Sequence, residues 1–172
     1  EKLEWVKDLK EVRYGRISEY ADEFGVKYYP SERPWCVPCD LAFPCATQNE
    51  INEAEAKVLV RNGCKGLSEG SNMSSEAGAV AVYRDAKILY GPAKAANAGG
   101  VAVSGLEMAQ NSMRMSWSRK ELNTHLGDIM RNIHERCVEF GTESDGYVDY
   151  LKGANIGGFK KVADALIAYG AC

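Results

Sequence analysis

Three short apolar runs separated by two segments of helical periodicity are the feature that most limits the folds open to this chain. The runs are Asp40-Leu41-Ala42-Phe43, Lys65-Gly66-Leu67-Ser68 and Lys87-Ile88-Leu89-Tyr90. They lack the apolar/polar alternation of a strand with one wet face, and they read as buried strands paired in parallel within an α/β sheet. Right-handed crossovers are then the default. The first crossover carries Thr47-Gln48-Asn49-Glu50, a capping-box pattern that predicts a helix continuing to Val60 and stopping at Asn62-Gly63. The second opens at Ser74 or Ser75 and runs through Ala79, Val82 and Tyr83.

After Gly91 the periodicity is helical only, over Val101 to Met115, Arg119 to Phe140 and Ile156 to Ala168. Ser118 and Glu121 form another capping box, and Leu122, Leu126, Ile129, Ile133 and Cys137 share a face of the helix that follows. Residues 2 to 24 also carry helical spacing, broken near Gly15 and stopped at Gly25, and residues 141 to 147 read as an exposed loop.

A formal charge of −3 and a pI near 5.5 argue against nucleic acid or an anionic membrane as partner and favour a small molecule. No stretch approaches the roughly 20 apolar residues of a membrane span, and Glu1-Lys2-Leu3-Glu4 is too charged for a secretory signal. A cytoplasmic protein is expected. The start lacks Met and already carries an amphipathic pattern at Leu3, Val6 and Leu9, which reads as a fragment boundary. Six cysteines, Cys36, Cys39, Cys45, Cys64, Cys137 and Cys172, stand at irregular spacing and are expected to be mostly free thiols.

Trp35-Cys36-Val37-Pro38-Cys39 differs by one residue from the thiol-redox signature of thioredoxins. There the first Cys starts a helix, whose dipole lowers its pKa. Here the motif follows a proline loop and leads into a strand. A thioredoxin-like redox protein using Cys36 and Cys39 is the alternative to the reading below, and a catalytically silent oligomerisation or binding module is a third.

Ligands on open parallel sheets bind beyond the carboxyl ends of the strands. All three predicted strands end in small or polar residues: Cys45-Ala46-Thr47-Gln48-Asn49, then Glu69-Gly70-Ser71-Asn72, then Gly91-Pro92-Ala93-Lys94-Ala95-Ala96-Asn97-Ala98-Gly99-Gly100. Small residues let a backbone pass close to a ribose or a carboxamide, although Asn and Gly also populate turns for backbone reasons alone. No G-x-G-x-x-G or P-loop string is present, and His125 and His134 do not form a metal-ligand pattern.

The strings Pro44-Cys45-Ala46-Thr47-Gln48-Asn49-Glu50, Lys94-Ala95-Ala96-Asn97-Ala98-Gly99-Gly100-Val101, Val103-Ser104-Gly105-Leu106-Glu107-Met108-Ala109-Gln110-Asn111-Ser112 and Gly153-Ala154-Asn155-Ile156-Gly157-Gly158-Phe159 resemble those of hexameric glutamate dehydrogenases. The likeness runs in order along the whole chain. It implies an α/β fold comprising the second half of a Rossmann-like parallel sheet followed by C-terminal helices. Residues 1–100 would be the nicotinamide side of the dinucleotide-binding domain, and residues 101–172 a helical segment that partly returns to a substrate domain. The glycine fingerprint and the catalytic groups would precede Glu1, leaving this segment inactive alone.

The resemblance further implies reversible NADP-linked deamination of L-glutamate to 2-oxoglutarate and ammonia by a homo-hexamer. Ala46, Thr47 and Gln48 would line the nicotinamide ribose, and Asn72 and Asn97 would contact the nicotinamide or its ribose. Val101 and Ser104 would meet the substrate. Lys10, Arg13 and Arg16 correspond to a basic group in relatives that use the phosphorylated cofactor, so NADP is preferred over NAD, with a solvated helix face as the alternative for those cations. The departures are Ser71 and Ser74 where the family usually carries Ala and Pro, and Ala93 where it usually carries Gly; altered turns are expected.

Overall fold

The computed structural model describes residues 1–170, and the chain divides into two compact units, Glu1–Pro34 and the remainder from Trp35 onward. In the first unit, helix α1 (Lys2–Lys7) runs into a π-helical turn at Asp8–Val12, and helix α2 (Ile17–Phe24) follows a break. The break falls where Gly15 predicts it. Leu9 is fully buried there, and a Cβ on Gly15 would collide with its Cδ1 atom. Trp5, Tyr20 and Phe24 pack as an aromatic cluster with centroids 4.6 to 5.8 Å apart, and Gly25 ends α2 in the left-handed conformation.

The second unit holds strands β1 (Leu41–Ala42), β2 (Gly66–Ser68) and β3 (Leu89–Gly91), paired in parallel in the order β1-β2-β3. Helices α3 (Glu53–Arg61) and α4 (Ala77–Asp85) make the connections. Ala42, Leu67 and Tyr90 sit in one core cluster with Ile51, Ala56, Leu59, Ala79 and Tyr83. Burial on both sheet faces, as the apolar runs predict, is met on this side only. Leu41, Phe43 and Leu89 are 54%, 61% and 58% exposed, above a groove of about 300 Å³ that His134 and Tyr150 also line.

Helices α5 (Ala93–Ala96), α6 (Ala98–Met113), α7 (Arg119–Gly141) and α8 (Tyr150–Ala168) complete the unit. Residue 100 lies inside α6. The α7 cap forms as the sequence predicts, with Ser118 and Glu121 bonded reciprocally. Gly153 of α8 presses so closely on the backbone of Cys137 that any Cβ would strike its carbonyl oxygen.

Four helix starts differ from expectation, the first being α6, which opens at Ala98 rather than Val101. Helix α3 starts after Asn52, not Thr47, because Asn52 and Glu55 form the box that is actually used while Asn49 turns the chain at φ 53°. Helix α4 starts after Glu76, since Ser75 is held extended by an isolated parallel bridge to Ile51 before the chain can coil. Helix α8 starts after Asp149, whose carboxylate accepts from the Lys152 N–H at 3.0 Å and pairs with Arg84 at 2.6 Å. The predicted loop 141–147 is partly structured, with Gly141 buried and Thr142 bridging to Val148. Among the described residues, no helix is long and apolar enough to cross a membrane.

Candidate functional site

The carboxyl ends of β1, β2 and β3 continue into three turns that hydrogen-bond to one another. The Gly70 and Ser71 N–H groups both donate to the Pro44 carbonyl, at 2.9 and 3.1 Å, and the Ser71 hydroxyl donates to the Thr47 carbonyl at 3.1 Å. The Asn49 N–H donates to the Met73 carbonyl at 2.8 Å, and the Ile51 N–H to the Ser74 carbonyl at 3.0 Å. Ser71 and Ser74, the two departures from the family pattern, join their hydroxyls at 2.6 Å within this web. That bond lies within the second turn, and the Ser74 hydroxyl also reaches the Pro44 carbonyl of the first turn at 3.3 Å.

The third turn is joined through carboxamides. The Asn97 side-chain amide donates to the Asn72 side-chain carbonyl at 2.7 Å. That bond leaves Asn72 an amide donor and Asn97 a carbonyl acceptor, the complement of the acceptor and donor on a carboxamide ligand. Thus Asn72 and Asn97, predicted as separate contacts, act as one paired group.

Two buried carboxylates that the sequence did not mark as site residues underlie these turns. Glu50, 8% exposed, accepts from the Ala46 and Thr47 N–H groups at 3.4 and 3.2 Å. Glu69, 3% exposed, accepts from the Ser75 N–H at 2.8 Å, the Ala93 N–H at 2.8 Å and the Tyr90 hydroxyl at 3.0 Å. Burial and the neighbouring Glu69 carboxylate push the Tyr90 hydroxyl well up, so it remains a protonated donor. For Glu69 the sequence signal was an acid directly after an apolar strand; Glu50 was marked as the acid of the Thr47 capping box, and its bond to the Thr47 N–H is that half of the box.

The predicted residues sort into three groups. Ala46, Thr47, Gln48, Asn72 and Asn97 are brought together on the rim, with the Gln48 amide 3.9 Å from the Met73 sulfur. Val101 and Ser104 lie just beyond Asn97 on the first turns of α6; Val101 is 74% exposed, and the exposed Ser104 donates only to the Gly100 carbonyl, at 3.4 Å. Lys10, Arg13 and Arg16 belong to the first unit. Lys10 donates to the Gly15 carbonyl at 3.0 Å, Arg13 pairs with Asp8 at 2.8 Å and stacks over Trp5 at 4.6 Å, and the Arg16 N–H donates to Glu19 at 2.8 Å.

The rim is an open surface, and a sizeable cavity lies elsewhere. About 700 Å³ opens between α5, α7 and α8, lined among others by Lys94, Arg136, Lys161 and Gly157. The rim, unlike this cleft, lies beyond the carboxyl ends of the parallel strands, where open α/β sheets bind ligands. No group of His, Cys, Asp and Glu suited to a metal occurs among the described residues.

The thiol reading fails on geometry. Cys36 ends a 3₁₀ turn at Pro34–Cys36 rather than starting a helix, so the helix N-terminus that the redox chemistry needs beneath the first Cys is missing. Cys36, Cys39, Cys45, Cys64 and Cys137 are free, and Cys172 lies outside the described residues.

A family model described as Glutamate/Leucine/Phenylalanine/Valine dehydrogenase matches residues 2–170. The chain is 59% identical over 170 residues to an NAD(P)-specific glutamate dehydrogenase of Xylanibacter ruminicola. It is 49% identical over 170 residues to an NADP-specific glutamate dehydrogenase of Salmonella typhimurium. Each alignment takes in 99% of this chain and 38% of the relative. The crystal structure of a Plasmodium falciparum glutamate dehydrogenase superposes with a TM-score of 0.90 at 48% identity, covering 98% of this chain and 36% of that one. This chain therefore spans well under half the length of these relatives.

Proposed function

Because the chain belongs to the glutamate/leucine/phenylalanine/valine dehydrogenase family, we propose that it is the nicotinamide side of an NADP-linked glutamate dehydrogenase. The reaction is the reversible oxidative deamination of L-glutamate to 2-oxoglutarate and ammonia, carried out by the longer protein of which this is a part. The carrying observation is the paired Asn72–Asn97 carboxamides, 2.7 Å apart, on a rim of turns at the carboxyl ends of three parallel strands. That is where open α/β sheets bind nucleotides.

The bare sheet face supports the reading of a half-domain. Parallel sheets are covered on both sides, yet Leu41, Phe43 and Leu89 are more than half exposed here, and β1 is an edge strand. Preceding strands and helices of a Rossmann-like domain would pair with β1 and cover that face. Residues 1–100 then form the nicotinamide part of that domain, and residues 101–172 the segment returning toward a substrate domain.

The residues present fit the cofactor. Ala46, Thr47 and Gln48 offer a small-residue turn for the ribose, with the Ala46 and Thr47 N–H groups already held by Glu50. Asn72 and Asn97 orient the carboxamide. When bound, the cofactor supplies a hydride acceptor and donor. The Ser104 hydroxyl donates to a substrate carboxylate, and Val101 shapes the pocket around the methylene chain; holding the substrate α-carbon near the nicotinamide is the work these residues do. Proton transfer belongs to groups outside this segment.

Lys10, Arg13 and Arg16 are the proposed 2′-phosphate contacts, so Arg13 would leave or share Asp8 when NADP binds. A homo-hexameric, cytoplasmic enzyme is part of the same proposal. The test is reductive amination by the complete protein. NADPH oxidation dependent on both 2-oxoglutarate and ammonia is expected, faster than with NADH. Turnover with branched-chain or aromatic 2-oxo acids in place of 2-oxoglutarate would overturn the substrate, and preference for NADH would overturn the cofactor.

A further inference from the structure

Glu69 has unusual surroundings for a carboxylate. It follows β2 directly, is 3% exposed, and pairs with no Lys or Arg among the described residues; its partners are two backbone N–H groups and a tyrosine hydroxyl. Burying a charge in this way is costly unless several donors meet it, so three bonds aimed at a single carboxylate mark a built arrangement. The donors come from three places: the lead into α4 at Ser75, strand β3 at Tyr90, and the first residue of α5 at Ala93. The Glu69 N–H itself donates to the Gly91 carbonyl at 3.0 Å.

These ties bracket the two carboxamides. Asn72 lies between Glu69 and Ser75, and Asn97 closes the four-residue helix α5 that opens at Ala93. The Asn97–Asn72 bond of 2.7 Å spans the gap between the two tied turns. We infer that Glu69 is a positioning residue for the cofactor: its carboxylate fixes the second strand-end turn against the third, and so sets the paired Asn72 and Asn97 amides for the nicotinamide. The inference rests on the cofactor reading above and extends it to a residue that touches no ligand.

Gln cannot replace Glu here. The Oε1 atom serves the Ser75 N–H, and Oε2 serves both the Ala93 N–H and the Tyr90 hydroxyl. A carboxamide has only one acceptor oxygen, so either orientation turns an NH₂ toward a backbone donor. One of the two turns is released while the size of the side chain is kept.

The experiment is a double-mutant cycle in the complete dehydrogenase, with NADPH affinity read by fluorescence titration and the steady-state constants for 2-oxoglutarate beside it. Glu69→Gln is expected to raise the NADPH Kd about tenfold, the equivalent of one lost hydrogen bond to a charged group, and to leave the Michaelis constant for 2-oxoglutarate within about twofold. Asn97→Ala is expected to raise the NADPH Kd by a similar factor, and the double variant to be little worse than either single one, because Glu69 acts through Asn97. Fully additive losses, or an unchanged Kd in Glu69→Gln while Asn97→Ala weakens binding, would overturn the inference and leave the cofactor reading standing. An unchanged Kd in Asn97→Ala would instead overturn the cofactor reading. If Glu69→Gln does not fold, Tyr90→Phe removes one bond to the same carboxylate. It should raise the Kd about threefold, again non-additively with Asn97→Ala, and additive behaviour there would overturn the inference equally.

Discussion

The strand-end rim and the helices that follow it are organised in opposite ways. On the rim, Glu50, Glu69, Ser74 and Ser75 are buried and bonded, and each turn is tied to the next by backbone or side-chain hydrogen bonds. By contrast, α6 has no buried residue and α8 has only Gly153, while Val101, Met108 and Phe159 are each more than 70% exposed. The rim is shaped by this chain's own residues. The helical region presents exposed apolar surface, and the proposed substrate contacts Val101 and Ser104 on it are less defined than the cofactor contacts.

Substitutions can break that contrast or sharpen it. The largest loss is expected at the one tight seam of the helical region. Gly153→Ala pushes a Cβ into the Cys137 carbonyl, where backbone rather than a flexible tip must yield, and should cost more than about 3 kcal/mol in urea unfolding. A loss near zero would mean that α7 and α8 are not held by that contact.

On the rim, Glu69→Ala leaves the Ser75 and Ala93 N–H groups and the Tyr90 hydroxyl without their acceptor and should cost about 2 to 3 kcal/mol. Asp149→Ala removes both the α8 cap and the acceptor of Arg84, whose side chain is 47% exposed. Screening limits that pair, so about 1 to 2 kcal/mol is expected. Phe159→Ser should change the stability of the present segment by less than about 0.5 kcal/mol, since the ring is exposed, but should cost clearly more in the complete protein. Equal effects in both would remove the premise that this face is covered.

Alkaline pH probes the buried tyrosines beneath the rim together with Tyr147, Tyr150 and Cys137 of the helical region, which burial also raises. Burial raises the Tyr83 and Tyr90 hydroxyls, so the folded state keeps both protons where the unfolded chain loses them. Their contribution is full below the ordinary tyrosine value near 10 and declines as pH rises above it. Unfolding midpoints should fall from about pH 10 upward, and by less in Tyr83→Phe.

Much of this fold was legible from local pattern because its signals are local. The three strands, the Gly15 break, the Gly25 stop and the Ser118 cap each depend on residues within one turn of one another. The α3 start was not legible, because Thr47–Glu50 and Asn52–Glu55 both match a capping box. What separates them is the buried Ile51, which pairs with Ser75 and so cannot join a helix. Sequence also marked the rim residues singly but could not pair Asn72 with Asn97. The role of Glu69 depends on Ser75, Tyr90 and Ala93, 6 to 24 positions away, and no local pattern carries it.

The central claim is that the paired amides at the strand ends hold the nicotinamide. A crystal structure of the complete dehydrogenase with NADPH bound tests it most directly. The account predicts the nicotinamide carboxamide within about 3.2 Å of the Asn72 or Asn97 side chain, with its ribose against the turn at Ala46, Thr47 and Gln48. A nicotinamide seated away from these turns, for example in the cleft between α7 and α8, would contradict it.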